Sequence, residues 1–209
     1  MKSPIAVLLA ISSSLMLPVA AADQAAAPTA PASPHAAIAH GAMTAPTPLP
    51  KQDKLSIKGW VAPAPASWTP VQPGSAMRAA QFILPGASGK GDDAEMVVYF
   101  FPSGDGGSQD ANIARWSGEV TDGDGKPGKP VVSTAKAGMT KVTLVALQGT
   151  YTRGASMLPG AERKPGQTLL VAMVETTVGR ITLQAYGPSK TVAAHRDSFI
   201  KLANGFAPG

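Results

Sequence analysis

The chain has 209 residues, a formal net charge of +5 and no cysteine. The missing cysteine excludes disulfide bonds, thiolate chemistry and lipid attachment through a cysteine. The Lys and Arg residues of the chain are scattered singly rather than clustered. This spacing argues against nucleic-acid binding, because a phosphate backbone is bound by a continuous basic face.

The first segment, residues 1–22, is predicted to be a cleavable signal peptide. Lys2 supplies its positive start, residues 5–19 are mostly apolar, and residues 20–22 are three small alanines, as an export signal requires. The apolar run is shorter than the about 20 residues that a membrane span needs. We therefore expect cleavage before Asp23, a periplasmic or secreted protein, and no transmembrane segment in the mature chain.

Residues 23–52 are predicted to be a disordered Pro/Ala-rich linker. Ala, Pro, Thr and Ser make up most of this segment. Frequent proline removes backbone donors, and the few bulky apolar side chains cannot offset the entropy cost of ordering the chain. His35 and His40 lie here, and we interpret them as solvated spacer residues rather than as metal ligands.

The remainder, residues 53–209, is predicted to form a single α+β domain. Alternating or continuous apolar residues predict strands at 54–58, 77–84, 95–101, 141–151, 168–176 and 180–186. Residues 95–101 (EMVVYFF) are nearly all apolar, so this strand is expected near the centre of the sheet. Gly- and Pro-rich composition predicts loops at 122–130 and 152–167, and residues 177–179 favour a hairpin turn.

A first helix is predicted after a Gly-rich loop. Ser108 can cap it, Asp110 lies near the positive end of the helix dipole, and Ile113, Trp116 and Val120 form one apolar face. Strands therefore dominate, with one helix in the middle of the domain and one at its end. This pattern predicts an α+β fold, a mainly antiparallel sheet flanked by helices.

The final helix is predicted to begin at Ser189 and to end at Asn204-Gly205. Val192 and Phe199 mark its inward face. His195 lies three residues after the first and four before the second, which favours a partly buried structural histidine.

The alternative hypothesis is a hydrolase assembled from distant residues, namely His195, Glu175 and Ser108. No G-x-S-x-G motif is present, and Asp197 is too close to His195 along the helix to orient its ring. An open cleft in which His195 reaches a carboxylate or hydroxyl would favour the hydrolase. A packed His195 would argue against it.

Two loops resemble ligand-binding motifs without matching them. Residues 101–108 are rich in glycine and precede the first helix, but they lack the Gly-Lys-Ser/Thr ending of a phosphate loop. Asp122 and Asp124 resemble the start of a calcium loop, but the later ligand positions hold unsuitable residues. We interpret both as connectors and predict no metal and no other cofactor.

A candidate binding site comprises Arg78, Asn112, Arg115 and Trp116. Arg and Trp are frequent anchors of protein interfaces. Helical spacing places Asn112 beside Arg115, and it directs Trp116 toward the core. For Asn112 the alternative is a hydrogen bond to a loop carbonyl, which would only hold the helix in place.

Several of these features together resemble a group of uncharacterised exported bacterial proteins with a PsbP-like fold. They are Trp68 after a Pro-rich stretch, Met77-Arg78, the strand at 95–101, residues 112–116, and Gly187-Pro188 before the last helix. That fold includes extrinsic photosystem subunits and a Ran-binding protein. The resemblance implies an antiparallel sheet between helices that serves binding or assembly rather than catalysis. The contacts of those proteins do not carry over, because no binding residue matches one for one.

The expected function is an exported, non-catalytic binding or assembly domain. Its expected partner is a protein or another envelope component, bound through one sheet face or through the helix near Arg115. A third hypothesis is an envelope structural protein that is retained by its Pro/Ala-rich leader.

Overall fold

The computed structural model describes residues 46–89, 91–152 and 163–209. These residues all belong to one unit, Thr44–Gly209. The predicted signal peptide, most of the predicted linker and the centre of the predicted loop at 152–167 lie outside the described residues.

The described chain alternates strands with two helices. In chain order the elements are β1 (Lys54–Ile57), β2 (Trp60–Pro63), β3 (Thr69–Val71), β4 (Ala80–Leu84), β5 (Ala94–Pro102), α1 (Gln109–Glu119), β6 (Val120–Thr121), β7 (Val131–Ala137), β8 (Thr140–Tyr151), β9 (Lys164–Glu175), β10 (Gly179–Pro188), α2 (Ser189–Asn204) and β11 (Ala207–Pro208). No helix in the described part of the chain is long and apolar enough to cross a membrane.

One large sheet organises the domain, with the strand order β3-β4-β5-β10-β9-β8-β6, and β7 also pairs with β8. Neighbouring strands of this sheet are antiparallel. A second, smaller antiparallel sheet has the order β1-β2-β11. The fold is therefore a sheet-dominated α+β domain, and the expected antiparallel pairing is confirmed.

The two helices pack on opposite faces of the large sheet, because successive residues of a strand point to opposite sides. In β9, Leu170, Ala172 and Val174 belong to one core cluster together with Val192 and Phe199 of α2. The alternate β9 residues, Leu169, Val171 and Met173, belong to a second cluster with Trp116 of α1. We call these two sides of the sheet the α2 face and the α1 face.

Local sequence patterns predicted both helices well. The Ser108 hydroxyl accepts a hydrogen bond from the Ala111 amide at 3.1 Å and so caps α1. Helix α2 begins at Ser189 and ends where the Gly205 amide bonds the Leu202 carbonyl. The predicted strands at 95–101 and 141–151 and the hairpin after residue 176 are confirmed as well.

Three predicted boundaries were wrong. The strand expected from residue 77 begins only at Ala80, which leaves Met77 and Arg78 in the preceding loop. The linker was expected to reach residue 52. Instead, the Leu49 amide donates to Pro70 and the Gln72 amide donates to Thr47, so the chain already pairs with β3 there. The loop expected up to residue 167 ends earlier, because β9 begins at Lys164.

Strand β7 was not predicted. Six of its seven residues are exposed, so its sequence VVSTAKA lacks the alternation that marks a half-buried strand. It forms because the tight connection to β8 lets Ala137 pair with Thr140 and Val131 with Ala146. Strand β7 therefore forms because its backbone pairs with β8, and the hydrophobicity of its side chains contributes little.

Candidate functional site

An open groove of about 450 Å³ lies on the α1 face, over β5 and β10. Helix α1 packs against β6 and β8 and therefore leaves this part of the face accessible. The residues that line the groove are Ser75, Met77, Arg78, Tyr99, Phe101, Arg115, Glu119 and Gln184. We call it the arginine groove.

The floor of the arginine groove is aromatic. Tyr99 and Phe101 alternate along β5 and therefore point to the same side. Their rings stack with centroids 6.2 Å apart and an interplanar angle of 22°. Gly106 lies against Phe101 with φ +82°, and a Cβ there would come within 2.7 Å of the Phe101 ring. Only glycine lets the loop approach this ring so closely.

One wall is built around Arg78. Its guanidinium donates to Glu95 Oε1 at 2.6 Å and to Gln81 Oε1 at 2.7 Å, and both side chains of the ion pair are largely buried. Gln81 Oε1 also accepts the Gly74 amide at 2.8 Å. The side chain of Gln81 in β4 therefore binds both the loop before this strand and the guanidinium of Arg78.

The opposite wall is built around Arg115 of α1. Its guanidinium donates to Glu119 Oε1 at 2.9 Å and to Asn112 Oδ1 at 3.1 Å, and its Cζ lies 5.4 Å from the centroid of the Trp116 ring. The Asn112 amide nitrogen in turn donates to the carbonyls of Gly106 and Ser108. The Arg115 side chain is 53% exposed, against 19% for Arg78, and two neighbouring side chains accept its hydrogen bonds.

The structure separates the four predicted binding residues into two kinds. Arg78 and Arg115 line the arginine groove. Trp116 is only 1% exposed and therefore belongs to the core, where its ring lies against the Arg115 guanidinium. Its Nε1 has no hydrogen-bond partner among the described residues. For Asn112, the alternative of a hydrogen bond to a loop carbonyl is confirmed.

The sequence did not predict that Met77, Tyr99, Phe101 and Gln184 line the groove. The strand EMVVYFF was interpreted as a central strand of the sheet, and its aromatic end is only half-buried. Its alternation of Tyr99 and Phe101 could have indicated an aromatic strip on one face. The residues next to Gln184 in the sequence give no sign that it lines the groove. It joins the groove only because β10 pairs with β5.

His195 has the predicted structural role. The indole Nε1–H of Trp68 donates to His195 Nδ1 at 3.1 Å, so Nδ1 must be the accepting nitrogen. His195 Nε2 lies 2.9 Å from the Pro85 carbonyl and therefore carries the proton that it donates. Both ring nitrogens are engaged, and the ring ties α2 to the chain on either side of β4.

The other residues of the hydrolase alternative are engaged elsewhere. Glu175 accepts a hydrogen bond from Arg180 Nε at 2.7 Å, and Ser108 caps α1. Within the described ranges, no hydrogen bond joins His195 to either of them. The Gly-rich loop contributes its Gly107 carbonyl to Arg180, which is a structural contact.

In the predicted loop at 122–130, the Asp122 carboxylate is used within the turn itself. Asp122 Oδ1 accepts the amides of Asp124 and Lys126, the pattern of an Asx turn. No cluster of three or more His, Asp or Glu side chains suited to a metal was found among the described residues.

The comparisons with known proteins give a likeness of fold. No family model matches the sequence, and no curated protein matches it. Among solved structures, the chain is similar to cyanobacterial PsbP (CyanoP) from Synechocystis sp. PCC 6803, with a TM-score of 0.47 and 12% sequence identity. The similarity covers 75% of this chain and 91% of that one, and it concerns the arrangement of the backbone.

Proposed function

We propose that the chain is an exported, non-catalytic binding or assembly domain that holds a protein partner in the arginine groove. The observation that carries this proposal is the pairing of both groove arginines with glutamates beside a stacked aromatic floor. Charge-balanced surfaces with Arg, Tyr, Phe and Met are typical of protein interfaces.

The charges of the groove favour a protein over a polyanion. Arg78 is paired with Glu95, and Arg115 with Glu119, so the wall residues present little net positive charge. A nucleic acid or a polyphosphate would lack the excess of cations that its binding requires. An amphipathic protein segment can use the aromatic floor and the remaining guanidinium donors together.

The groove is also preorganised. Arg115 is held by Asn112, Glu119 and the Trp116 ring, so little side-chain entropy remains to be lost when a partner binds. Met77 is 73% exposed at the rim and can adapt its flexible side chain to the partner surface.

Photo-cross-linking tests the groove as the binding surface. Met77 and Met139 are 73% and 68% exposed, so each can be replaced by a photo-reactive benzoylphenylalanine at nearly equal accessibility. Met139 lies between β7 and β8, outside the arginine groove. We expect a discrete protein adduct from position 77 in cells and none from position 139.

A second substitution links the adduct to the arginine. We expect Arg115→Ala to reduce the yield of the adduct about tenfold, as loss of an interface anchor does. Arg196→Ala, which removes another exposed arginine, should leave the yield unchanged. Equal adducts from positions 77 and 139, or a yield that Arg115→Ala does not change, would contradict the proposal.

The export part of the proposal is tested separately. Residues 1–22 have the composition of a signal peptide, and we propose a periplasmic or secreted location. Intact mass measurement of the protein from the cell should show a chain that begins at Asp23. A cytoplasmic protein that retains Met1 would refute export and leave the groove proposal standing.

A further inference from the structure

A second groove, of about 570 Å³, lies on the other side of the sheet, beside α2. Residues of the α2 face form part of its floor, including Ala146 of β8 and Leu170 of β9. Val192 and Ala193 of α2 form one wall, and Val131 at the start of β7 forms the other. We call it the apolar groove, and its volume is in the range of small-molecule sites, about 300–1,000 Å³.

Val131 is the most informative residue of this wall. It is 72% exposed, so little of its apolar side chain is covered by the described residues. It pairs with Ala146, whose small side chain leaves the space above the sheet open. The strip between α2 and β7 therefore offers apolar surface that no described residue covers.

Two cations border this apolar strip. Lys129 and Arg196 line the groove, and neither side chain forms an ion pair with any part of the described chain. The acidic side chain of the lining, Asp122, accepts two backbone amides of its own turn. The first turn of α2 carries no acidic residue, so the positive end of its dipole adds to the same field.

We propose that the apolar groove binds an anionic single-chain amphiphile, a long-chain carboxylate whose alkyl chain lies on Val131, Leu170 and Val192. The head group would lie between Lys129 and Arg196. None of the described side chains that line the groove is aromatic, which disfavours the stacking that a nucleotide would use. The apolar floor disfavours a bare inorganic anion, because such an ion gains nothing from apolar contacts.

Titration calorimetry of the full chain, as the cell processes it, with dodecanoate tests this site. Complete burial of one CH₂ strengthens binding about fourfold, so decanoate, which is two CH₂ groups shorter, should bind about sixteenfold more weakly than dodecanoate. Dodecyltrimethylammonium, which has the same chain and the opposite charge, should also bind at least tenfold more weakly. Equal binding of the cationic and anionic compounds would overturn the proposal, as would the absence of dodecanoate binding.

Neighbouring residues of β7 provide a matched pair of variants. Val131 lines the groove, whereas Val132 is 44% exposed and points to the other face of the sheet. We expect Val131→Asp to weaken dodecanoate binding at least tenfold and Val132→Asp to change it less than twofold. Equal effects of the two substitutions would show that binding does not occur in this groove.

A further variant preserves the test if Val131→Asp fails to fold. The double substitution Lys129→Gln and Arg196→Gln should weaken dodecanoate binding about fivefold to tenfold, because each exposed cation contributes modestly. Binding of the uncharged dodecanol should stay unchanged in that variant. Dodecanoate binding that does not respond to the loss of both cations would overturn the assignment of the head-group position.

Discussion

The arginine groove and the apolar groove lie on opposite faces of the same sheet, and each is lined by two cationic side chains. In the first groove both cations are paired with glutamates. In the second, neither cation pairs with a described residue. The same number of positive charges therefore produces a nearly neutral surface in one place and a positive surface in the other.

The difference depends on where the carboxylates are anchored. Glu95 projects from β5 toward Arg78, and Glu119 lies one helical turn after Arg115. In the apolar groove, the turn that contains Asp122 uses its carboxylate for backbone amides. The pairing of the cations with carboxylates, rather than the count of basic residues, thus distinguishes the two grooves.

The largest expected effect comes from Gly106→Ala, which disturbs only the arginine groove. The substitution forces a residue into φ +82° and brings its Cβ to 2.7 Å from Phe101. We expect a loss of about 2–4 kcal/mol in the free energy of unfolding, measured by urea denaturation.

Gly104→Ala is the matched control for this change. Gly104 has φ +91° but no heavy atom within 4 Å of the added Cβ, so only the backbone cost of about 1–2 kcal/mol remains. Equal losses of unfolding free energy in the two variants would show that the close contact with Phe101 does not affect stability.

A smaller effect is expected from removing one carboxylate of the arginine groove. Glu95→Gln leaves the largely buried Arg78 without its ion-pair partner, and we expect a loss of about 1–3 kcal/mol in stability. Glu119→Gln removes the partner of the more exposed Arg115 and should cost only about 0.5 kcal/mol. Urea denaturation at low and high salt measures both. A greater loss for Glu119→Gln would contradict the described difference in burial.

The smallest effect is expected in the apolar groove. Lys129→Gln and Arg196→Gln remove charges that make no ion pair with the described residues, so each should change stability by less than about 0.5 kcal/mol. Thermal unfolding checks this. A loss comparable to that of Glu95→Gln would show that these cations have a structural role, and the contrast between the grooves would disappear.

The sequence predicted two of the eight residues that line the arginine groove, Arg78 and Arg115. Arg115 and its contact with Asn112 followed from helical spacing, and Arg78 was named as a binding residue. The alternation of Tyr99 and Phe101 along β5 was a local signal for the floor, whereas Gln184 could not be predicted, because it joins the groove only when β10 pairs with β5. The apolar groove was not predicted at all, since it requires β7, whose sequence has no strand pattern of its own.

By itself, the sequence determined the local structure: the Ser108 cap, the stop at Gly205, the hairpin after Thr176, and the apolar faces of β5 and β8. These features depend on residues a few positions apart, so their physical causes lie within short windows. The tertiary structure decided the rest. It brings His195 to Trp68 across 127 residues and Arg78 to Glu95 across 17. Such contacts depend on which strands pair and in which register, so they cannot be predicted from the spacing of neighbouring residues in the sequence.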